Sequence, residues 1–310
     1  MLNRKHMSTE LDYFIVDVFT ANALEGNPLA VVINTAELTI ERMQAIAREF
    51  NLSETTFVER AEVDSEHVEG VRVRIFTTQE ELNFAGHPTL GTASVLRLAA
   101  PETAVGDTIK LKLNVGTVPV RFAGEGLNAE MTQKDPEFGP ELERDEVARL
   151  CGLRPEDLDP VLPPQVVSTG TAFAIVLLRS VAELGRLKVN HDLATPWLRE
   201  RGARWFYVLA PALDENGTKY RSRMQFYGGE DPATGSAAGC AISYLALRGA
   251  VASGETIRVR QGVEIGRASN LLLSARVENS AANAALDARV SDVRVGGSTV
   301  LVAKGRLFLP

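Results

Sequence analysis

The sequence predicts an α+β protein in which one kind of domain occurs twice. The chain has 310 residues, which suits two domains of about 150 residues each. Four short segments of the first half recur in the second half in the same order. Strand-like and helix-like patterns also follow one another in the same order in both halves. We therefore expect two pseudo-symmetric domains over 8–126 and 127–310, with the last strand, 300–309, able to pair with either sheet.

The repeat consists of four pairs of matching segments. Two pairs lie 144 residues apart, namely Gly26–Val32 with Gly170–Val176 and Gly86–Ala93 with Glu230–Ala237. Val71–Arg74 and Tyr220–Arg223 lie 149 residues apart, and Thr108–Lys112 and Thr256–Arg260 lie 148 apart. Each match is weak alone, but their shared order favours a duplicated domain, and loop insertions account for the drift.

The first half predicts two helices among short strands. Apolar residues three or four apart indicate a helix over Thr39–Phe50, with Thr39 as its N-cap. A second helix begins at the Gly86-His87-Pro88 motif and runs to about Leu98. Strands are expected at Tyr13–Phe19, Leu29–Ile33, Thr55–Glu59, Val71–Phe76, Ile109–Leu113 and Thr117–Phe122.

The second half repeats this plan after a crossing segment at Leu127–Gly139. Its helices are expected near Thr195–Arg201 and over Pro232–Leu247. Its strands are expected at Val166–Ser168, Phe173–Leu178, Trp205–Leu209, Arg221–Phe226, Thr256–Arg260 and Leu271–Val277.

Composition excludes several classes of protein. The net charge of −7 argues against a nucleic-acid partner. The longest apolar runs have the length of strands, so no membrane partner is expected, and the N-terminus shows no secretory signal. Two cysteines, Cys151 and Cys240, suggest a reducing, cytoplasmic location, and we expect both in the core. Two cysteines and four histidines also leave little material for a metal site, so no bound metal is expected.

Two matched motifs predict a binding site for a carboxylate. Gly86-His87-Pro88 and Glu230-Asp231-Pro232 each place a proline where a first helical turn would start. Amides at helix starts bind anions, and clefts between domains are preferred ligand sites. We therefore expect a small carboxylate-bearing substrate in the interdomain cleft, between the two helix starts.

Three side chains are candidates for proton transfer. His87 and Asp231 occupy equivalent positions of the two motifs as aligned, and Glu54 lies where a loop enters a strand beside apolar residues. Simpler roles are open for each: a helix-capping histidine, an aspartate N-cap and a solvated glutamate. The arginines Arg72, Arg74, Arg221 and Arg223 alternate along strands, which favours a solvated or dimer-facing surface over substrate contact.

Several segments resemble the phenazine-biosynthesis PhzF-like family, and they match it in order from about Leu11 to the C-terminus. They are Asp17–Thr20, Gly26–Val32, Asn51–Phe57, Glu81–Thr92, Gly229–Ala237 and Gln261–Arg267. The resemblance implies the diaminopimelate epimerase-like fold, with a central helix in a curled sheet in each domain. It also implies a homodimeric, cofactor-free isomerase acting on a substrate like trans-2,3-dihydro-3-hydroxyanthranilate.

The resemblance also implies roles for individual residues. Glu54 would take a proton from C3 of the substrate, and a proton would be returned at C1. His87 and Asp231 would position the substrate or share protons with it. Gly86, Thr234, Gly235 and Ser236 would bind the substrate.

Two other functions are weighed against this isomerase. One is an amino-acid racemase or epimerase that uses acid and base residues other than cysteine. The other is a non-catalytic protein that binds small carboxylates. The intact set of Glu54, His87 and Asp231 argues against the second alternative.

Overall fold

The computed structural model describes residues 9–214, 217–227, 229–278 and 288–309. The expected domain start at Ser8 and the residues before it lie outside this part. The chain forms two compact units. Unit 1 contains the described residues of 1–24, 28–129 and 298–310, and unit 2 those of 25–27 and 130–297.

Unit 1 is a mixed sheet with three helices. The strand order is β1-β2-β3-β4-β6-β7, with β2–β3 and β4–β6 parallel. The elements are β1 (Thr9–Val18), β2 (Asn27–Ile33), α1 (Ile40–Phe50), β3 (Thr55–Glu59), α2 (Val63–Glu69), β4 (Val71–Phe76), β5 (Glu81–Leu82), α3 (Gly86–Ala99), β6 (Thr108–Leu113) and β7 (Gly116–Phe122). A further strand, β8 (Asn128–Thr132), begins in this unit.

Helix α3 is the central helix of unit 1. Every residue from Gly86 to Leu96 is buried, and the helix packs on β1 at one end of the strand order and on β7 at the other. The sheet therefore curls around it. A Cβ atom on Gly91 would lie 2.6 Å from Leu29 Cδ2 and 2.8 Å from Val18 Cγ2, so glycine permits this close packing.

Helix α1 covers the other side of the unit 1 sheet. Thr39 caps it as predicted, accepting a hydrogen bond from the Arg42 amide. Its buried residues Met43, Ile46 and Ala47 pack with β-strand side chains in a second apolar cluster. Burial of this stripe stabilises the helix, which would be marginal alone at this length.

Unit 2 has the same plan with more covering helices. Its strand order is β18-β17-β16-β13-β12-β11-β10-β9. The elements are β9 (Glu137–Glu141), α4 (Arg144–Leu150), β10 (Gln165–Ser168), β11 (Ala172–Leu177), α5 (Val181–Gly185), α6 (His191–Glu200), β12 (Trp205–Pro211), β13 (Thr218–Arg223), β14 (Gln225–Phe226), β15 (Gly229–Glu230), α7 (Gly235–Leu247), β16 (Ile257–Gln261), β17 (Ser269–Glu278) and β18 (Arg289–Leu309).

Helix α7 is the central helix of unit 2. It packs on β17 toward one end of the strand order and on β10 and β11 toward the other. Helices α4, α5 and α6 share a separate cluster with the opposite face of the sheet. The predicted fold class is confirmed: each unit is an α+β domain with a central helix in a curled sheet, and the two are pseudo-symmetric.

The last predicted strand, 300–309, pairs with the sheet of unit 1, and the residues before it in β18 pair with that of unit 2. Residues 289–296 of β18 pair with β17, and residues 299–309 pair with β1. Among the described residues, no helix is both long and apolar enough to span a membrane.

The structure confirms two of the repeat alignments through strand register. In unit 1 Arg72 pairs with Lys112, and in unit 2 Arg221 pairs with Arg260. These pairs lie 149 residues apart (221 minus 72) and 148 apart (260 minus 112), as the sequence predicts.

The predicted alignment of the two helix motifs is wrong. Helix α7 begins at Gly235, not at Pro232, and α3 begins at Gly86, which sets the helix starts 149 residues apart (235 minus 86). The offset of 144 therefore pairs unlike positions. Pro232 lies in the loop before the helix. The proline pattern therefore predicted the start of α7 too early in the chain. In the corrected alignment His87 is equivalent to Ser236, and Asp231 to Leu82.

Candidate active site

Glu54 lies at the entrance to a strand, as predicted. It follows α1 and directly precedes β3, and its side chain is 17% exposed. Asn51 ends α1 in the left-handed conformation, with φ of 52°, which turns the chain toward β3. A buried parallel strand thus holds the backbone next to a carboxylate that is still partly accessible.

His87 is the second residue of α3, and its side chain lies beside Glu54. The Nε2 atom is 3.4 Å from Glu54 Oε2, and the imidazole is 6% exposed. Burial lowers the pKa of His87 to about 3, although a hydrogen bond to the backbone of Pro28 acts in the opposite direction. The ring is therefore neutral at neutral pH. Glu54 and His87 are in contact, but they do not form an ion pair.

Asp231 lies in the loop between β15 and α7. Its carboxylate accepts hydrogen bonds from Asn27 Nδ2 to Oδ1 at 2.8 Å and from Thr234 Oγ1 to Oδ2 at 2.7 Å. Burial raises the pKa of Asp231 to about 6, while bonds from Thr234, the Ala233 backbone and Asn27 act to lower it. The alternative role as an N-cap does not apply, because the N-cap of α7 is Thr234.

The start of α7 presents backbone amides. The first bond of the helical ladder runs from the Ala238 amide to the Thr234 carbonyl, so the Gly235 and Ser236 amides precede the ladder. The Thr234 hydroxyl donates to Asp231 and makes no capping bond to these amides. Such a helix start suits an anion. Gly86 occupies the corresponding first position of α3.

The structure therefore gathers the predicted site residues in two sets. Glu54, His87 and Gly86 belong to unit 1, where Glu54 and His87 are adjacent. In unit 2, Asp231 bonds to Thr234, and Gly235 and Ser236 follow directly at the helix start.

Two residues of the Asp231 surroundings were not identified from sequence as functional candidates. Asn27 and Gln261 lie within the segments that carry the family resemblance, but no role was predicted for either residue. Asn27, the first residue of β2, is grouped with unit 2, whereas the rest of that strand belongs to unit 1. It bonds to both Asp231 and the Ala233 carbonyl. Gln261, at the end of β16, donates to the Asp231 carbonyl and to Thr234. Neither role has a local pattern, because each partner lies far away in sequence.

The prediction of a solvated or dimer-facing surface is wrong for Arg223. It is 8% exposed, and its guanidinium bonds to both Glu230 oxygens and to the Leu184 carbonyl. Because Glu230 directly precedes Asp231, this ion pair anchors the loop that carries the aspartate. Arg74 is likewise held by Glu81 and partly buried.

Both cysteines are in the core, as predicted. Cys151 and Cys240 are fully buried and are not joined in a disulfide. Burial raises the pKa of both thiols, to about 11 for Cys240, so both are protonated at neutral pH. Within the described residues, no group of three or more His, Cys, Asp and Glu side chains is arranged to hold a metal ion.

Comparison with known proteins assigns the chain to a family. The model of the phenazine biosynthesis-like proteins, PhzC-PhzF, matches residues 16–305. The chain belongs to the phenazine biosynthesis-like family. A PhzF-like protein of Pseudomonas aeruginosa named trans-2,3-dihydro-3-hydroxyanthranilate isomerase is 36% identical over 96% of this chain and 99% of its own length. With relatives of this kind, the chain is a PhzF-like isomerase.

Solved structures of PhzF-like proteins share the fold. A PhzF family protein from Bacillus anthracis superposes with a TM-score of 0.81 at 25% identity, covering 96% of this chain and 99% of that one. A structure from Pseudomonas aeruginosa described as a predicted epimerase has a TM-score of 0.77 at 35% identity, with the same coverage of both chains.

Proposed function

We propose that this PhzF-like isomerase shifts a proton on a small carboxylate resembling trans-2,3-dihydro-3-hydroxyanthranilate, without a cofactor. The observation that carries the proposal is the contact of Glu54 with His87 at the start of the central helix of unit 1. The relative from Pseudomonas aeruginosa named for that reaction supports the choice of substrate.

In this proposal Glu54 is the general base and then the general acid. As a carboxylate it takes a proton from C3 of the substrate, and it returns a proton at C1. His87 is neutral because burial lowers its pKa to about 3, so its ring brings no positive charge to the site. The ring nitrogen facing Glu54 offers a lone pair, which accepts a hydrogen bond from the carboxyl group once it is protonated.

The second set of residues binds and orients the substrate. Asp231, ionised above pH of about 6, accepts a hydrogen bond from a hydroxyl or amino group of the substrate. The amides of Gly235 and Ser236 donate to its carboxylate, and Gly86 adds the corresponding amide of α3.

A second candidate is an epimerase with the same base. It is favoured by the structure at 35% identity that is described as a predicted epimerase. Both reactions begin with removal of a proton from carbon, and they differ in whether a double bond moves.

NMR of the reaction in D₂O separates the candidates. With trans-2,3-dihydro-3-hydroxyanthranilate, the proposal predicts movement of the ring double bond, at the same rate after dialysis of the protein against a chelator. Deuterium appearing at a stereocentre of this compound or of amino acids, with no double-bond movement, would identify an epimerase. A thermal shift with neither change would leave only the non-catalytic binding protein.

The proposal also includes a homodimer, as the resemblance implies. Light scattering coupled to size-exclusion chromatography tests this part separately. A mass near 33.6 kDa would identify a monomer and contradict it.

A further inference from the structure

The direction of the hydrogen bonds around Gln261 can be read without ambiguity. Its Oε1 accepts from the Thr234 amide at 3.2 Å, and its Nε2 donates to the Asp231 carbonyl at 2.8 Å. A backbone amide can only donate and a backbone carbonyl can only accept, so the side-chain amide of Gln261 has one possible orientation.

This orientation sets the direction of the Thr234 hydroxyl. Gln261 Nε2 also donates to Thr234 Oγ1 at 2.9 Å. Since the hydroxyl accepts there, its O–H bond points away from Gln261 and donates a hydrogen bond to Asp231 Oδ2 at 2.7 Å. Gln261 is fully buried and Thr234 is 6% exposed, so water does not compete readily for these bonds.

Asn27 supplies the other carboxylate oxygen in the same way. Its Nδ2 donates to the Ala233 carbonyl at 2.9 Å, which identifies the end of the side chain that faces Asp231 as the amino end. The same group therefore donates to Asp231 Oδ1. Each oxygen of the Asp231 carboxylate therefore accepts a hydrogen bond from a donor that other hydrogen bonds hold in place.

We propose that Gln261 is a positioning residue that aims the Thr234 hydroxyl at Asp231 and thereby keeps Asp231 a hydrogen-bond acceptor. A protonated Asp231 would need an acceptor for its own proton. Asn27 Nδ2 can only donate, and Thr234 Oγ1 could accept only if its own proton turned away from Asp231. The consequence for catalysis, an acceptor ready for a donor group of the substrate, rests on the proposed function.

Within the part of the chain that the structure describes, Glu230, Tyr207 and Cys240 are titratable groups in the surroundings of Asp231. Glu230 precedes it in the chain and raises its pKa by repulsion, although Glu230 is itself paired with Arg223. Tyr207 on β12 donates to Gln261 Oε1, and burial raises the pKa of its hydroxyl, so it is neutral. Cys240 on α7 is a buried, protonated thiol. These groups are unchanged by the substitutions below, apart from the Tyr207 control.

Carbon-13 NMR of protein labelled at the aspartate carboxyl carbons tests the proposal without any substrate. The Asp231 signal is assigned with Asp231→Asn and titrated from pH 4 to 8.5. Gln261→Met and Thr234→Val should each raise its midpoint by about one pH unit, because the donor to Oδ2 is lost or released. Thr234→Ser keeps the hydroxyl and should leave the midpoint in place.

The double variant Gln261→Met/Thr234→Val gives the sharpest test, because Gln261 acts through Thr234. Its midpoint should equal that of Thr234→Val alone. Tyr207→Phe, which removes a buried bond to Gln261 without freeing its amide, should not move the midpoint. An unchanged midpoint in Gln261→Met, or additive shifts in the double variant, would overturn the proposal.

Two safeguards keep the outcome clear. If Gln261→Met does not fold, the Thr234→Val and Thr234→Ser pair decides, since equal midpoints in these two variants contradict the proposal. The titration also stands apart from activity. Absence of turnover by the wild-type protein would refute the proposed function while leaving the NMR result valid.

Discussion

Burial moves the pKa values of His87 and Asp231 toward the neutral form of each side chain. The pKa of His87 falls to about 3 and that of Asp231 rises to about 6. Hydrogen bonds oppose burial in both cases, but they do not outweigh it. At neutral pH the result is an uncharged imidazole beside Glu54 and an ionised Asp231 surrounded by donors.

The displaced pKa of His87 has a consequence for stability. In the unfolded chain the imidazole titrates near its ordinary pKa of 6.5, whereas in the folded protein it does so at about 3. Below pH 6.5 the unfolded state takes up a proton that the folded state does not. The stability contributed by neutral His87 is therefore complete above pH 6.5 and is lost as the pH falls toward 3.

His87→Gln should remove this pH dependence. We expect the wild-type advantage in unfolding free energy over the variant to shrink by about 2–3 kcal/mol between pH 7.5 and pH 4.5, at roughly 1.4 kcal/mol per pH unit below 6.5. Urea unfolding followed by tryptophan fluorescence measures it. Asp231 is present in both proteins, so its own titration cancels in the difference. A difference that stays constant over this range would contradict the assigned burial of the imidazole.

At the scale of elements, the start of α7 is held by the side chain of Gln133. This side chain occupies the space that a side chain on Gly239 would need. Gln133 donates to the Gly235 carbonyl at 2.9 Å and accepts from Thr169 at 2.7 Å. A Cβ atom on Gly239 would lie 1.9 Å from Gln133 Oε1 and 2.6 Å from its Cδ. Helix α7 can therefore keep this buried brace only because residue 239 has no side chain.

Gly239→Ala should destabilise the protein although alanine is the better helix former. Displacing Gln133 leaves buried polar groups without partners, at a cost of about 1–3 kcal/mol each, against a gain of roughly 1 kcal/mol in helix propensity. Gly185→Ala in α5 is the matched control, because nothing lies within 4 Å of a Cβ atom there. It should be neutral or stabilising in the same thermal and urea unfolding experiments.

The contact can be separated from any general effect of the substitution at Gly239. In a Gln133→Ala background, Gly239→Ala should cost much less than in the wild type, because the side chain it displaces is already absent. Equal costs in the two backgrounds would show that Gln133 is not what Gly239 accommodates.

At the scale of the whole molecule, the duplication is visible in its ion pairs. Arg74 binds Glu81 in unit 1, and Arg223 binds Glu230 in unit 2, each pair joining a strand to the segment that leads into the central helix. The glutamate of each pair lies five residues before the first residue of its helix, Gly86 or Gly235. The two units thus share an arginine–glutamate pair at the same position ahead of the central helix.

Much of the architecture could be predicted because its signals are local. Period-two strands and the capped α1 follow directly from side-chain spacing, and Thr55–Glu59 and Val71–Phe76 were predicted with the observed bounds. The short helices α2, α4 and α5 were missed, since five to seven residues carry little periodicity.

The site was harder to predict than the fold for a physical reason. Glu54 and His87 stand in recognisable motifs, and the structure places them in contact. The surroundings of Asp231 depend instead on Asn27, 204 residues away, and on Gln261, 30 residues away. Hydrogen bonds over such separations have no sequence period, so only the folded chain reveals them.

The central claim, that Glu54 moves the proton, is tested most directly by its amide variant. Glu54→Gln keeps the size of the side chain and removes its ability to take a proton. Single-turnover rates with trans-2,3-dihydro-3-hydroxyanthranilate should fall by about 10²- to 10⁴-fold, while the substrate still raises the thermal midpoint. Glu49→Gln, an exposed change on α1, is the matched control and should keep the wild-type rate. A wild-type rate in Glu54→Gln would contradict the account.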